Sequence, residues 1–143
     1  MFINSIGHYI PSLRLDNAYF EKLTGHNDEW FMSHTGIKTR SKTNKGEDNH
    51  SMGLQAIDNA LSTLPYSVEE VDLIIHASYS PLDTVATLAH VVQQKYNIIN
   101  AKAFYISSAC STFVNAVEIV QTYFLANKAT KALIVASEHN SYY

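Results

Sequence analysis

Tyr105-Ile106-Ser107-Ser108-Ala109-Cys110-Ser111-Thr112-Phe113-Val114 places the only cysteine of the chain between a strand-like run and a helix-like run. Upstream, Ala103-Phe104-Tyr105-Ile106 is short, aromatic and β-branched, the composition of a buried strand. Downstream, residues 111–126 have helical length and few breakers, and Asn127-Lys128 ends the run. Cys110 therefore falls at a strand-to-helix junction. A thiol there meets unpaired backbone N–H groups and the positive end of the helix dipole, which favour the thiolate, and a thiolate is a nucleophile. A lone cysteine without such a setting is more often a small buried hydrophobe, and that alternative stands beside the reactive one.

Working outward, two more apolar runs frame this junction. Residues 71–77 and 132–137 are nearly continuous in aliphatic side chains, as strands covered on both faces are. Residues 2–10, closing on Pro11, alternate enough apolar positions for a first strand, with Gly7 marking a bulge or a close backbone approach. Helical patterns lie between. Asp16 or Asn17 caps a short helix carrying Tyr19, Phe20 and Leu23, which Gly25 ends. From about Asn49, Leu54, Ile57, Leu61 and Leu64 recur at steps of three and four until Pro65. Ser67-Val68-Glu69-Glu70 is a capping box opening a single turn. Pro81 and Asp83-Thr84 begin another helix, with Val85, Leu88, Ala89, Val92 and Tyr96 as its stripe. Residues 26–49, the most polar stretch, read as an ordered loop excursion with a turn at Gly46. The order β-α-β-α-β-α-β with crossover-length connections predicts an α/β fold, a mostly parallel sheet with crossover helices, in one domain spanning residues 1–143.

Composition narrows the function classes. With 46% hydrophobic residues the chain can build a core, and a net charge of -3 with scattered lysines gives no basic field for nucleic acid. One cysteine forms no internal disulfide, and the N-terminus lacks the basic and apolar segments of a signal peptide. No apolar run reaches the roughly 18 residues that cross a bilayer. A cytoplasmic protein without nucleic-acid or membrane partners is expected. The seven histidines, His8, His26, His34, His50, His76, His90 and His139, show no close metal-ligand spacing, so no metal is expected.

One helix does not suit a small self-contained domain. Between Phe113 and Leu125 apolar residues run almost all the way round, broken by Asn115, Glu118, Gln121 and Thr122. A helix apolar on most faces is covered on most faces, and a four-stranded sheet covers only one. The sequence also reaches Asn140-Ser141-Tyr142-Tyr143 directly after a buried strand. Something else is expected to pack here: the other half of a longer polypeptide, a partner subunit, or both.

With the nucleophile, the loop and the layering in place, the chain resembles the N-terminal half of a β-ketoacyl-acyl carrier protein synthase III, a condensing enzyme of the thiolase fold. The resemblance covers essentially the whole chain. It rests on Asp28-Glu29-Trp30 followed by Thr35-Gly36-Ile37 and Arg40, and on Ser108-Ala109-Cys110 a β-α-β interval later. It implies a thiolase-like N-terminal half of a five-layer αβαβα architecture, with the all-apolar helix between the sheets of the two halves. It also implies a homodimer through the edge strand carrying Phe104 to Ser107. Cys110 matches the nucleophile that takes an acyl group from acyl-CoA as a thioester before condensation with malonyl-carrier protein and loss of carbon dioxide. The backbone N–H of the same residue matches part of the family's oxyanion hole. Trp30 matches the aromatic that stacks on the CoA adenine, and Thr35 lies in the same CoA-contacting loop; a core aromatic under a loop is the other reading of Trp30. The resemblance thus implies acyl-CoA as a substrate, no permanently bound cofactor, and an acyl carrier protein as the second partner.

The departures are as informative. The family's catalytic His and Asn come from the C-terminal half, which is expected to be absent from this chain, so the chain alone is expected not to complete a condensation. His34 stands where an arginine is common, and Ser111-Thr112 follow the nucleophile where Ala-Gly is frequent. Val85 stands where an acyl-pocket aromatic reaches across the dimer in some relatives, and a smaller side chain leaves room for a longer or branched acyl group. Three other readings remain open. A specialised thiolase-fold enzyme, such as a hydroxymethylglutaryl-CoA synthase or a secondary-metabolite condensing enzyme, shares the cysteine. A non-catalytic partner subunit dispenses with the His/Asn half. A papain-like hydrolase needs a His and an Asn or Asp after the cysteine, and the one histidine that follows it is His139, directly before Asn140.

Overall fold

In the computed structural model, residues 1–142 are described and fall into two compact units, one of Ile10–Glu47 and one of Met1–Tyr9 with the chain from Asp48 onward.

The larger unit is built on a parallel sheet. Strands β3 (Leu73–Ala77), β4 (Lys102–Ile106) and β5 (Ala132–Ala136) lie in the order β4-β3-β5, with Leu73 opposite both Lys102 and Ala132. All five residues of β3, His76 included, are buried, as its largely apolar run requires of a central strand. Alternate side chains divide between two cores. Ile74 joins Ile57 of helix α3 (Asn49–Leu61), Leu88, Ala89 and Val92 of helix α4 (Leu88–Lys95), and Ile98. Leu73, Ile75 and Ala77 meet Ala116 and Val120 of helix α5 (Thr112–Leu125). The unit is therefore a three-layer α/β/α sandwich. Its first layer is fully packed, whereas α5 buries only one stripe and leaves Phe113, Val114 and Leu125 exposed.

The smaller unit pairs β1 (Leu13–Asp16) antiparallel to β2 (Thr39–Lys42), with helices α1 (Asn17–Thr24) and α2 (Asp28–Thr35) between them in the chain. Asp16 caps α1 by accepting the Tyr19 N–H, and Gly25 ends it at φ 76°. Buried Asn17 is the hub of this unit. Its amide donates to Asp28 (2.7 Å) and to the Ile37 carbonyl (3.0 Å), and its oxygen accepts from Arg40 (2.8 Å). The Arg40 guanidinium lies over Phe20 at 4.5 Å and Phe31 at 5.2 Å.

Three sequence expectations need correction. Residues 2–10 form no strand: they find no ladder partner, and Phe2 stands 91% exposed. Gly7 nevertheless makes the expected close approach, because a Cβ there would run into the Ala56 carbonyl and the Ala60 backbone of α3. The side chain of Asn59 holds the same segment by donating to the His8 carbonyl (2.8 Å). Secondly, residues 26–49 contain α2 and β2 rather than a loop alone. Asn27 caps α2, Asp28 and Glu29 charge its first turn, and Gly36 closes it at φ 67°. Thirdly, α4 starts at Leu88, not at Pro81 or Asp83. The Asp83 carboxylate instead accepts the N–H groups of Val85 (2.7 Å) and Ala86 (3.1 Å), closing a local turn that competes with helix. Val85 is consequently off the helix. The capping box at Ser67 and Glu70 forms as expected around the turn Val68–Glu70.

Candidate active site

Cys110 occupies the crossing from β4 to α5. The chain leaves β4 at Ile106, turns through Ser108–Ala109 and enters α5 at Ser111. Ala109 adopts the left-handed conformation at φ 49°, which costs an L-alanine about 1 kcal/mol. A set of short hydrogen bonds holds that geometry. Buried Thr112 accepts the Ser108 N–H on its Oγ1 (2.8 Å) and donates to the Ala109 carbonyl (2.6 Å). Ser111 Oγ donates to the Ser108 carbonyl (2.7 Å), and Asn115 Nδ2 donates to Ser108 Oγ (2.7 Å). The turn projects Cys110 as a free, exposed thiol. Ser111, the N-cap, makes no side-chain cap bond, so no side-chain oxygen from it neutralises the opening N–H groups of α5. This is an accessible sulfur beside the positive end of a fourteen-residue helix.

Thr112 and Asn115 are positioning residues that sequence reading passed over. Their signal was present: a hydroxyl and an amide on the first turn of a helix readily bond the loop before it.

A second polar cluster lies just beyond β3 and β5. The Glu138 carboxylate accepts from the N–H groups of Tyr79 (3.0 Å) and Ser80 (3.1 Å) and from the hydroxyls of Ser78 and Ser80. Buried Asn49 donates to the carbonyls of Ser80 (2.9 Å) and Ser137 (2.5 Å), tying the start of α3 to both strand ends. In a parallel sheet these carboxyl ends share one edge with the end of β4, from which the Cys110 turn departs. Below them on β3, His76 is completely buried and neither ring nitrogen has a hydrogen-bond partner. Burial holds it well below the ordinary imidazole value, at about 4, and neighbouring His50 adds to the effect. The pKa of His50 is itself lowered by burial, against the pull of Asp48 and Asp83.

The remaining sequence-predicted residues divide between the units. Val85 belongs with Cys110 in the larger one and is 84% exposed. Trp30 and Thr35 share α2 in the smaller one. The Thr35 hydroxyl donates to the Phe31 carbonyl (2.7 Å) and accepts the Ile37 N–H (3.1 Å), ending the helix. Trp30 is 37% exposed and stacks with two imidazoles. Among the described residues no group of three or more His, Cys, Asp or Glu side chains is placed to hold a metal ion, and no helix is long and apolar enough to cross a membrane.

Known proteins share this fold. No family model matches the chain. The β-ketoacyl-acyl-carrier-protein synthase III of Aliarcobacter butzleri is 36% identical over 138 residues, covering 96% of this chain and 41% of that protein. Its counterpart in Pasteurella multocida is 35% identical over 136 residues, covering 95% and 43%. The crystal structure of 3-oxoacyl-acyl-carrier-protein synthase III from Aquifex aeolicus matches with a TM-score of 0.91 at 35% identity, over 98% of this chain and 45% of that one. The chain matches the N-terminal half of synthase III. The synthase III from Thermus thermophilus also has a TM-score of 0.91, at 28% identity. The thiolase-like α/β architecture implied by the resemblance, a parallel sheet with crossover helices, is the one observed. The chain spans about two-fifths of the length of its curated synthase III relatives.

Proposed function

We propose that this chain is the thiolase-like half, residues 1–143, that carries the nucleophile of a 3-oxoacyl-acyl carrier protein synthase III, serving fatty acid or related biosynthesis in the cytoplasm. The observation that carries this reading is Cys110: a free, exposed thiol on a strained turn, held by Thr112 at the opening of α5. In the first step the Cys110 thiolate attacks the carbonyl carbon of an acyl-CoA thioester, forming a carbon–sulfur bond while the carbonyl electrons move to oxygen. The Cys110 N–H is one donor to that oxyanion. Collapse expels the CoA thiolate, which takes up the proton that Cys110 gave away, and leaves an acyl-enzyme. In the second step a malonyl group on a carrier protein loses carbon dioxide, and its enolate carbon attacks the Cys110 thioester, releasing the 3-oxoacyl product and restoring the thiolate. The His and Asn that stabilise the enolate belong, by the resemblance, to the part of the relatives this chain does not cover.

Trp30 and Thr35 serve the CoA nucleotide in this reading, and exposed Val85 lines an acyl pocket made spacious by its small side chain. Strand β4, which pairs only with β3 among the described strands, offers its free edge to a second copy, giving a homodimer. Intact-mass spectrometry after incubation with acetyl-, octanoyl- and malonyl-CoA tests the first step, on this chain and on the longest natural polypeptide containing it. Acylation of the long form, abolished by Cys110→Ser, is the expected result. No acylation of either form by any CoA or carrier-protein thioester would leave Cys110 a structural thiol and sink the proposal.

A further inference from the structure

Trp30 has His26 four residues before it and His34 four residues after it. Its ring centroid lies 4.0 Å from that of His26 with planes 11° apart, and 4.4 Å from that of His34 with planes 22° apart. Two rings stacked this closely over one face would occupy the same space, so the imidazoles cover opposite faces of the indole. Both flat surfaces on which a planar base could stack are therefore already taken by the chain itself.

The two covers are not equally secured. His34 sits in the last turn of α2, and its Nδ1–H donates to the Trp30 carbonyl at 2.8 Å. That bond fixes both the tautomer and the ring orientation. His26 lies outside the helix, between Gly25 at φ 76° and the N-cap Asn27. Its backbone N–H bonds Thr24 Oγ1 (3.3 Å), but among the described residues its exposed ring makes no hydrogen bond and rests on the stack. A rotation about its side-chain bonds uncovers one indole face without disturbing the helix, whereas freeing the other face breaks a hydrogen bond.

We propose that His26 is an exchangeable cover: the purine of a coenzyme thioester binds by replacing the His26 imidazole on Trp30, with His34 remaining as fixed backing. This rests on the reading of Trp30 as the adenine contact of CoA. The covered state competes with ligand, and apparent affinity falls by the fraction of molecules in which the face is closed. Stacking of one ring on another biases that equilibrium by roughly threefold to tenfold.

Calorimetric titration of free CoA into the full natural polypeptide carrying this chain, beside pantetheine, which has the thiol arm without the nucleotide, tests the exchange. His26→Ala is expected to tighten CoA binding roughly threefold to tenfold and leave pantetheine unchanged, with Trp30→Ala weakening CoA. CoA binding that is unchanged or weaker in His26→Ala, while Trp30→Ala still weakens it, overturns the exchange and preserves Trp30 as the adenine site. A larger gain in His34→Ala than in His26→Ala overturns the assignment of the mobile side. Wild-type CoA affinity in Trp30→Ala removes the adenine site itself, and the exchange with it.

Discussion

Ala109 and His76 are each held in an unfavourable state by their surroundings, and both lie in the unit that carries the thiol. The left-handed backbone of Ala109 aims Cys110, and Thr112 and Asn115 anchor the turn from the helix side. A β-branched side chain fits that backbone poorly, so Ala109→Val is expected to lower unfolding stability by about 1–3 kcal/mol in denaturant titrations and to slow acylation of Cys110. Thr112→Val keeps the shape and removes the hydroxyl that bridges Ser108 and Ala109, leaving a half-buried N–H without its partner. A loss of about 0.5–1.5 kcal/mol is expected. His76 adds a pH dependence. Its folded value of about 4 lies below the ordinary 6.5, so between these limits the unfolded chain binds more protons than the folded one. Stability is thus complete above about pH 6.5 and declines as pH falls toward 4, by up to about 3 kcal/mol. His76→Leu, which also removes two unpartnered buried nitrogens, is expected to flatten that slope in denaturant titrations at pH 7, 5.5 and 4.5. An unchanged slope would assign the acid sensitivity elsewhere.

At the level of elements, contacts that sequence periodicity does not encode decide several boundaries. Gly7 is the clearest case: with its Cα against the backbone of Ala56 and Ala60, Gly7→Ala forces the N-terminal segment off α3. A loss of about 1–3 kcal/mol on chemical denaturation is expected, with Ser5→Ala, on the same segment, milder. The three strands of the parallel sheet were legible because each is a short, mostly apolar run rich in aliphatic or aromatic side chains, and α3 and α5 because each spans more than three turns. Residues 2–10 were not, because alternation signals an extended segment but not whether a neighbour exists to pair with it. Helix α2 escaped notice because its two turns show no apolar period; its signals are the Asn27 cap, two acidic residues and Gly36. Cys110 was legible from one residue between two readable elements. The hydroxyl of Thr112 and the histidines four residues either side of Trp30 are local signals that the reading passed over, whereas the orphaned ring of His76 depends on tertiary placement, which no spacing in the chain discloses.

The whole molecule is unevenly finished, and the unevenness has a direction. On the α3–α4 side of the sheet, Ile74, Leu88, Ala89, Val92 and Ile98 are fully buried. On the other side α5 seals the sheet with Ala116 and Val120 and presents Phe113, Val114 and Leu125 outward. A helix apolar nearly all round, with one stripe covered, fits the proposed layering in which a second half packs on α5. Val114, 67% exposed here, separates the alternatives. In the 143-residue chain Val114→Lys exchanges one solvated side chain for another and should change stability by no more than about 0.5 kcal/mol. In a polypeptide as long as the synthase III relatives, the same lysine would have to enter a packed apolar layer. It would remove a buried valine's contribution of about 1.5–3 kcal/mol and add the cost of burying an unpaired charge. Parallel denaturant titrations of the two lengths, each with and without the substitution, measure the difference directly. A penalty well above 2 kcal/mol in the long form only is the expected outcome. Equal, negligible effects in both would mean that the α5 face stays in water, and that its apolar surface serves some contact other than the second half.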